Sequence, residues 1–167
     1  MELNLYGTVN DSIVDGPGLR FSVFVQGCPH NCKGCQNPDS HPFDTGTPTS
    51  TDELLERIKN NPLLDGVTFS GGEPFCQPLP LYELGKQVKA LGLNIVTFTG
   101  FTFEYLYEHR ETNTGYAALL SVTDYLIDGP FVESLRSLEL RFRGSSNQRI
   151  IDVQKSLAAG HAIEATL

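Results

Sequence analysis

A chain of 167 residues that is 40% hydrophobic and 19% charged can bury one ordinary core, and its length fits a single domain spanning 1–167. The formal net charge of −8 at pH 7 argues against a polyanion-binding surface, so no nucleic-acid partner is expected. No apolar run approaches the ~20 residues that span a bilayer. No basic segment leads into an apolar one at the start, so the expectation is a cytoplasmic protein without a membrane partner.

The elements follow in chain order. Residues 20–26 (RFSVFVQ) read as a strand, with Phe21, Val23 and Val25 on one face and Phe24 on the other. Ser50-Thr51-Asp52-Glu53 reads as a capping box, Ser50 as N-cap and Glu53 reaching back to it. The helix it opens carries Leu54, Leu55 and Ile58 on one stripe. Residues 66–70 (GVTFS) form a second strand, stopped by Gly71-Gly72. Residues 78–92 place Leu81, Leu84, Val88 and Leu91 at helical spacing, with Gly92 as the stop. A third strand, 94–99 (NIVTFT), ends at Gly100, and helices are expected around 103–110 and 116–120. The fourth strand is 124–127 (DYLI), ending at Asp128-Gly129-Pro130, and the fifth is 138–142 (LELRF), followed by Gly144 and a mostly apolar tail.

Repeated strand–helix–strand units imply a parallel sheet with helices packed over it. A full barrel of eight units needs ~250 residues, so the fold class expected is α/β: a partial, open TIM-like barrel of about five or six mostly parallel strands with helices on the outer face. Ligands bind at the carboxyl edge of such sheets. The cysteine-rich segment, Gly71-Gly72-Glu73, Thr99-Gly100 and Asp128-Gly129 all follow strands and fall at that edge.

Three of the four cysteines, Cys28, Cys32 and Cys35, crowd into one short loop. A disulfide framework would spread its cysteines to staple distant segments, so the cluster points to metal. Soft thiolates select zinc or iron–sulfur clusters. A zinc site would need His30, His41 or Cys76 as fourth ligand. Zinc fingers come as two separated ligand pairs, and no second pair is present here. Three cysteine ligands on a [4Fe–4S] cluster leave the fourth iron open to a substrate. The three sulfurs are expected to converge on one centre, with Cys76 a free thiol and His109 and His161 at the surface.

The C-x3-C-x2-C segment 28–35 after the first strand, with Gly71-Gly72-Glu73-Pro74 after the second, resembles the radical S-adenosylmethionine superfamily. Val14-Asp15-Gly16-Pro17-Gly18-Leu19-Arg20 and residues 24–28 resemble its glycyl-radical-enzyme activating family. Cys28-Pro29-His30-Asn31-Cys32, Asp128-Gly129-Pro130-Phe131 and Arg143-Gly144-Ser145-Ser146-Asn147-Gln148 are similar to the members that serve anaerobic ribonucleoside-triphosphate reductase. The likeness spans roughly residues 3–153. One departure is Gly34, where many members of the superfamily carry an aromatic residue before the third cysteine.

The resemblance implies a [4Fe–4S] cluster on Cys28, Cys32 and Cys35 and S-adenosyl-L-methionine bound at its open iron. It further implies reductive cleavage to an adenosyl radical and, as partners, the glycyl-radical subunit of the reductase and a reduced flavodoxin-like electron donor. It places backbone groups of Gly34, Cys35 and Gln36 at the nucleoside, and Gly71, Gly72 and Glu73 at the methionine ammonium. Glycines there let the backbone approach the ligand, so Gly72→Val is expected to keep the cluster and lose the ligand. Thr97 and Thr99 share one strand face, and Thr99 and Asp128 are candidates to hold the cofactor; Asp128 also reads as a helix-cap or turn aspartate. Asp15-Gly16-Pro17-Gly18 is first of all a turn, with shaping of the substrate mouth as its second reading. Arg141, Arg143 and Arg149 flank residues 144–148, a loop for docking a partner, for anchoring the cofactor, or simply solvated. Two competing readings remain at this level: a radical enzyme acting on a small molecule, such as a deazaguanine-forming synthase, and a non-catalytic zinc-binding module.

Overall fold

The computed structural model describes residues 1–167. Seven strands form one sheet: β1 (Glu2–Ser12), β2 (Arg20–Val25), β3 (Thr47–Ser50), β4 (Gly66–Gly71), β5 (Asn94–Phe98), β6 (Tyr125–Asp128) and β7 (Arg149–Asp152), in the order β3-β1-β2-β4-β5-β6-β7. The four central strands, β2, β4, β5 and β6, run parallel. The flanks are antiparallel: β1 against β2, β3 against β1, and β7 against β6. The architecture is thus mixed α/β, with seven strands rather than five or six and three parallel neighbour pairs out of six.

Helices α1 (Thr51–Lys59), α2 (Pro78–Ala90), α3 (Phe103–Glu108), α4 (Thr114–Val122) and α5 (Val153–Ala159) supply the other layer. Strand alternation decides which side chains meet them. Phe21, Val23 and Val25 of β2, Val67 and Phe69 of β4 and Ile95 of β5 join Leu54, Leu81, Leu84 and Leu119 from the helices in one buried core. Truncating one of these, such as the fully buried Leu81 to Ala, costs about 2–5 kcal/mol. The opposite face carries Phe24, Ser70 and Phe98, which line a cavity. Only its β5–β7 end is filled, by a small cluster of Val96, Ile127 and Ile150 with Phe142 and Leu167 against it.

Ser50 caps α1 by accepting the Asp52 N–H at 3.1 Å. The return bond from Glu53 is not made, since Ser50 is also the last residue of β3, opposite Glu2 in the ladder. α2 begins on Pro78, and Gly92 just beyond its end has φ +81°, the left-handed conformation glycine takes freely.

The strand expected at 138–142 does not form. Phe142 has φ +62°, outside the strand region, and the sheet edge beside β6 is already taken by β7. Residues 136–148 instead fold across the open face, closed by an isolated bridge between Arg136 and Ser145. β1, β3, β7 and α5 were not anticipated by the periodicity. No helix is long and apolar enough to cross a membrane.

Candidate iron–sulfur site

Where β2 ends, the chain leaves as a loop whose base is zipped shut. Gly27 N–H donates to Ser40 O at 2.7 Å and Cys28 N–H to His41 O at 3.0 Å. Buried Gln26 spans the same base, its amide donating to Asp39 O and Pro42 O at 3.0 and 2.7 Å. The turn after β4 locks onto this base: Gly72 N–H reaches Val25 O at 2.7 Å and Glu73 N–H reaches Gly27 O at 2.8 Å. A Cβ on Gly72 would overlap the Gly27 carbonyl, and one on Gly71 (φ +99°) would lie 2.5 Å from Val25 N. The glycine pair is therefore required first by chain-to-chain packing under the cysteine loop, before any ligand is considered.

Cys28, Cys32 and Cys35 line one cavity of about 780 Å³ together with His30, Gln36, Gly71, Gly72, Thr99 and Gly100. That volume lies in the range of small-molecule and cofactor sites. All three thiols are half-buried and free of disulfides. They share the cavity, and no group of three His, Cys, Asp or Glu side chains is placed to hold a single metal ion. Burial pushes the Cys28 thiol up to about 11, with Glu73, Cys32 and Cys35 adding to it against the His30 backbone N–H. As a free thiol it is protonated, and its ligation requires loss of that proton. Three soft donors in one loop on one cavity match the chemistry of an iron–sulfur cluster. Cys76 is exposed and does not line the cavity.

The other predicted residues divide. Cys35 and Gln36 line the cavity, whereas Gly34 (φ +76°) backs onto the Glu133 carboxylate. Glu73 is 0% exposed and does not line the cavity. Its carboxylate accepts the Thr99 hydroxyl at 2.9 Å, Gly100 N–H at 2.8 Å, Phe75 N–H at 3.0 Å and His30 Nε2 at 2.5 Å. Those donors saturate it, so the methionine-ammonium role expected of Glu73 does not match its position.

Asp128 departs further from expectation. It is 1% exposed and accepts Phe103 N–H, at the start of α3, at 2.8 Å. Arg149 grips it through Nε at 3.0 Å and a second nitrogen at 2.5 Å, and also reaches Glu104. Of its two readings, the helix-cap one describes its geometry, and both of its oxygens are already engaged. Arg149 accordingly belongs to the sheet corner rather than to the loop 144–148. Thr97 bonds Thr123 on the helix side at 3.0 Å, away from Thr99.

Asp15-Gly16-Pro17-Gly18-Leu19-Arg20 is a buckle at the cavity mouth. The fully buried Arg20 donates to Thr68 Oγ1, Pro17 O and Val67 O at 2.7, 2.9 and 2.8 Å. Burial lowers its pKa to about 10, against the pull of Asp65, Asp124 and Asp15. Asp15 accepts the Ser12 and Ser22 hydroxyls at 2.5 and 3.0 Å and lines the cavity. Nothing in local patterning announces Ser12, Ser22 and Thr68 as its partners; only sheet register brings them together.

This parallel-centred sheet with three cysteines on one strand-end cavity defines an α/β iron–sulfur protein, and the family described as "4Fe-4S single cluster domain" matches residues 14–151. The anaerobic ribonucleoside-triphosphate reductase-activating protein of Escherichia coli (strain K12) is 32% identical over 144 residues, covering 81% of this chain and 90% of that protein. The chain belongs to the family of anaerobic ribonucleoside-triphosphate reductase-activating proteins. The pyruvate formate-lyase-activating enzyme of Listeria monocytogenes is 45% identical over 86 residues, 48% of this chain and 35% of that enzyme. Among solved structures, QueE from Escherichia coli matches 61% of this chain and 54% of its own, at 18% identity and a TM-score of 0.47.

Proposed function

We propose that this protein is a radical S-adenosylmethionine activase that generates a glycyl radical on anaerobic ribonucleoside-triphosphate reductase. The observation that carries the reading is one open cavity bounded by the three loop cysteines at one end and by exposed apolar side chains at the other. Ile13 and Val14 are 74% and 72% exposed on one lip, and Leu138 is 87% exposed on the other. Such a rim suits a protein segment better than a small polar substrate.

A cluster held there would supply the electron for reductive cleavage of S-adenosylmethionine to methionine and an adenosyl radical, the species that would take a hydrogen atom from a glycine Cα of the reductase. The chain's own contribution is positioning and exclusion of water. Cys28, Cys32 and Cys35 would hold the cluster, and the backbone of Gly71 and Gly72, which face the cavity, would approach the cofactor. Thr99 and the segment 35–36 border the same space. On this reading the face with no helices is the inside of an open barrel, the chain acts as one cytoplasmic domain, and a reduced flavodoxin-like protein is the electron donor.

The test mixes anaerobically reconstituted, reduced protein with S-adenosylmethionine and the reductase. The expected outcome is a glycyl doublet in the electron paramagnetic resonance spectrum with stoichiometric 5′-deoxyadenosine. Cofactor cleavage driven by a small molecule, with no doublet, would replace this reading with that of a synthase.

A further inference from the structure

The loop that carries the cysteines is firmly held at its base and barely held beyond it. Among residues 29–36, the segment containing Cys32 and Cys35, the internal hydrogen bond is Cys35 N–H to Cys32 O at 3.3 Å. Among its side chains, a single hydrogen bond ties this segment to the strand ends: His30 Nε2 to Glu73 Oε1 at 2.5 Å.

The ring is also fixed by packing. It stands edge-on to Phe101 with centroids 4.5 Å apart, and a Cβ on Gly100 would overlap it. His30 sits midway between Cys28 and Cys32 in sequence, and its side chain is 16% exposed. Glu73, at the far end of the tie, is anchored independently by Thr99, Gly100 and Phe75. The tie therefore runs from a strand-end hub to a loop segment whose other side chains make no hydrogen bond to the sheet.

We propose that His30 is the positioning residue of the cysteine loop, fixing the Cys28–Cys32 span against the strand ends through Glu73 and so setting how firmly and in how many arrangements the loop holds its iron. The inference rests on the iron–sulfur site and not on the identity of the radical acceptor. Residues that orient metal ligands from behind typically change metal affinity by about 10–100-fold when removed.

The test uses the full chain, reconstituted with its cluster, as wild type, His30→Ala and His30→Gln. Glutamine keeps an N–H donor of similar reach. His30→Ala should release iron to a chelator about 10–100-fold faster than wild type. The reduced cluster should give a broadened electron paramagnetic resonance line, because one held arrangement becomes several. His30→Gln should recover most of both. Amide hydrogen exchange on the metal-free proteins gives an independent reading: residues 29–36 should exchange faster in His30→Ala, with the sheet unchanged. Iron release within twofold of wild type in His30→Ala overturns the proposal. So does a His30→Gln variant that behaves like His30→Ala, since the hydrogen bond would then not be the working part.

Discussion

Glu73, in the turn just after β4, and Asp128, the last residue of β6, are both essentially unexposed, and both strap the same connection after β5: Glu73 takes Gly100 N–H and Asp128 takes Phe103 N–H. They differ in what meets their charge. Asp128 faces a guanidinium, and Asp128 and then Glu104 hold the Arg149 proton well above its ordinary range. Glu73 has no lysine or arginine, only neutral donors and one residue of the cysteine loop. A carboxylate met by a permanent cation closes a corner of the sheet. One met by a loop residue ties the loop to the sheet, so damage at Glu73 reaches the cysteines while damage at Asp128 stays local.

The largest effect expected on the Glu73 side is loss of the cluster itself. Cys28→Ala, Cys32→Ala and Cys35→Ala should each abolish cluster loading, measured as iron per chain after anaerobic reconstitution, whereas Cys76→Ala should load fully. Full loading in any loop variant would remove that cysteine from the ligand set. Gly72→Val sharpens the point. Its side chain overlaps the Gly27 carbonyl, so stability and cluster should fall together, rather than ligand binding alone as the glycine-rich motif first suggested. A variant with full iron content but no spectroscopic response to S-adenosylmethionine would restore the simpler view.

Next in size are the two acids. Glu73→Ala leaves the buried Phe75 and Gly100 N–H groups and the Thr99 hydroxyl without an acceptor, at about 1–3 kcal/mol each before relaxation. A net loss of about 3–5 kcal/mol is expected by denaturant unfolding of the metal-free protein, with poor iron retention. Asp128→Asn keeps an oxygen for Phe103 and leaves Arg149 its bond to Glu104, so about 1–3 kcal/mol is expected, with iron content unchanged. Iron loss in Asp128→Asn would break the comparison.

The contrast was only half legible in the sequence. The central strands are legible because each carries a strongly apolar face that is buried against the helices, as Phe21, Val23 and Val25 show. β1, β3 and β7 were missed because they are half-polar flanking strands, fixed by pairing rather than by their own pattern: in β1 only Leu3, Leu5 and Ser12 are buried. Residues 138–142 alternate like a strand, but β7 takes the place beside β6 and residues 163–165 bond to β7 on its other side. At the site, cysteine spacing is a local signal and survives into the structure as a shared cavity. The state of a carboxylate is not local. Thr99 lies 26 residues from Glu73 and Arg149 lies 21 from Asp128, so which acid is capped, caged or free depends on register that no window of sequence contains.

The smallest effect belongs to Glu104, the outer partner of Arg149. The side-chain hydrogen bond from Arg149 holds its carboxyl below the usual glutamate range. A carboxylate whose pKa is depressed in the folded state contributes stability that is fully present above the unfolded value near 4.5 and is lost as pH falls through the lower folded value. Glu104 is half-exposed, so solvent screening reduces the contribution to about 0–1 kcal/mol. Glu104→Gln should therefore cost at most that much near pH 7, and the gap should shrink with added salt. It should also close as both proteins are acidified below pH 4, because wild-type Glu104 is then neutral like its replacement. Thermal midpoints of wild type and variant across that range measure the gap directly. A gap that persisted at low pH would mean that Glu104 acts through packing against Arg149 rather than through charge, and that the Asp128 corner is held closed by Asp128 alone.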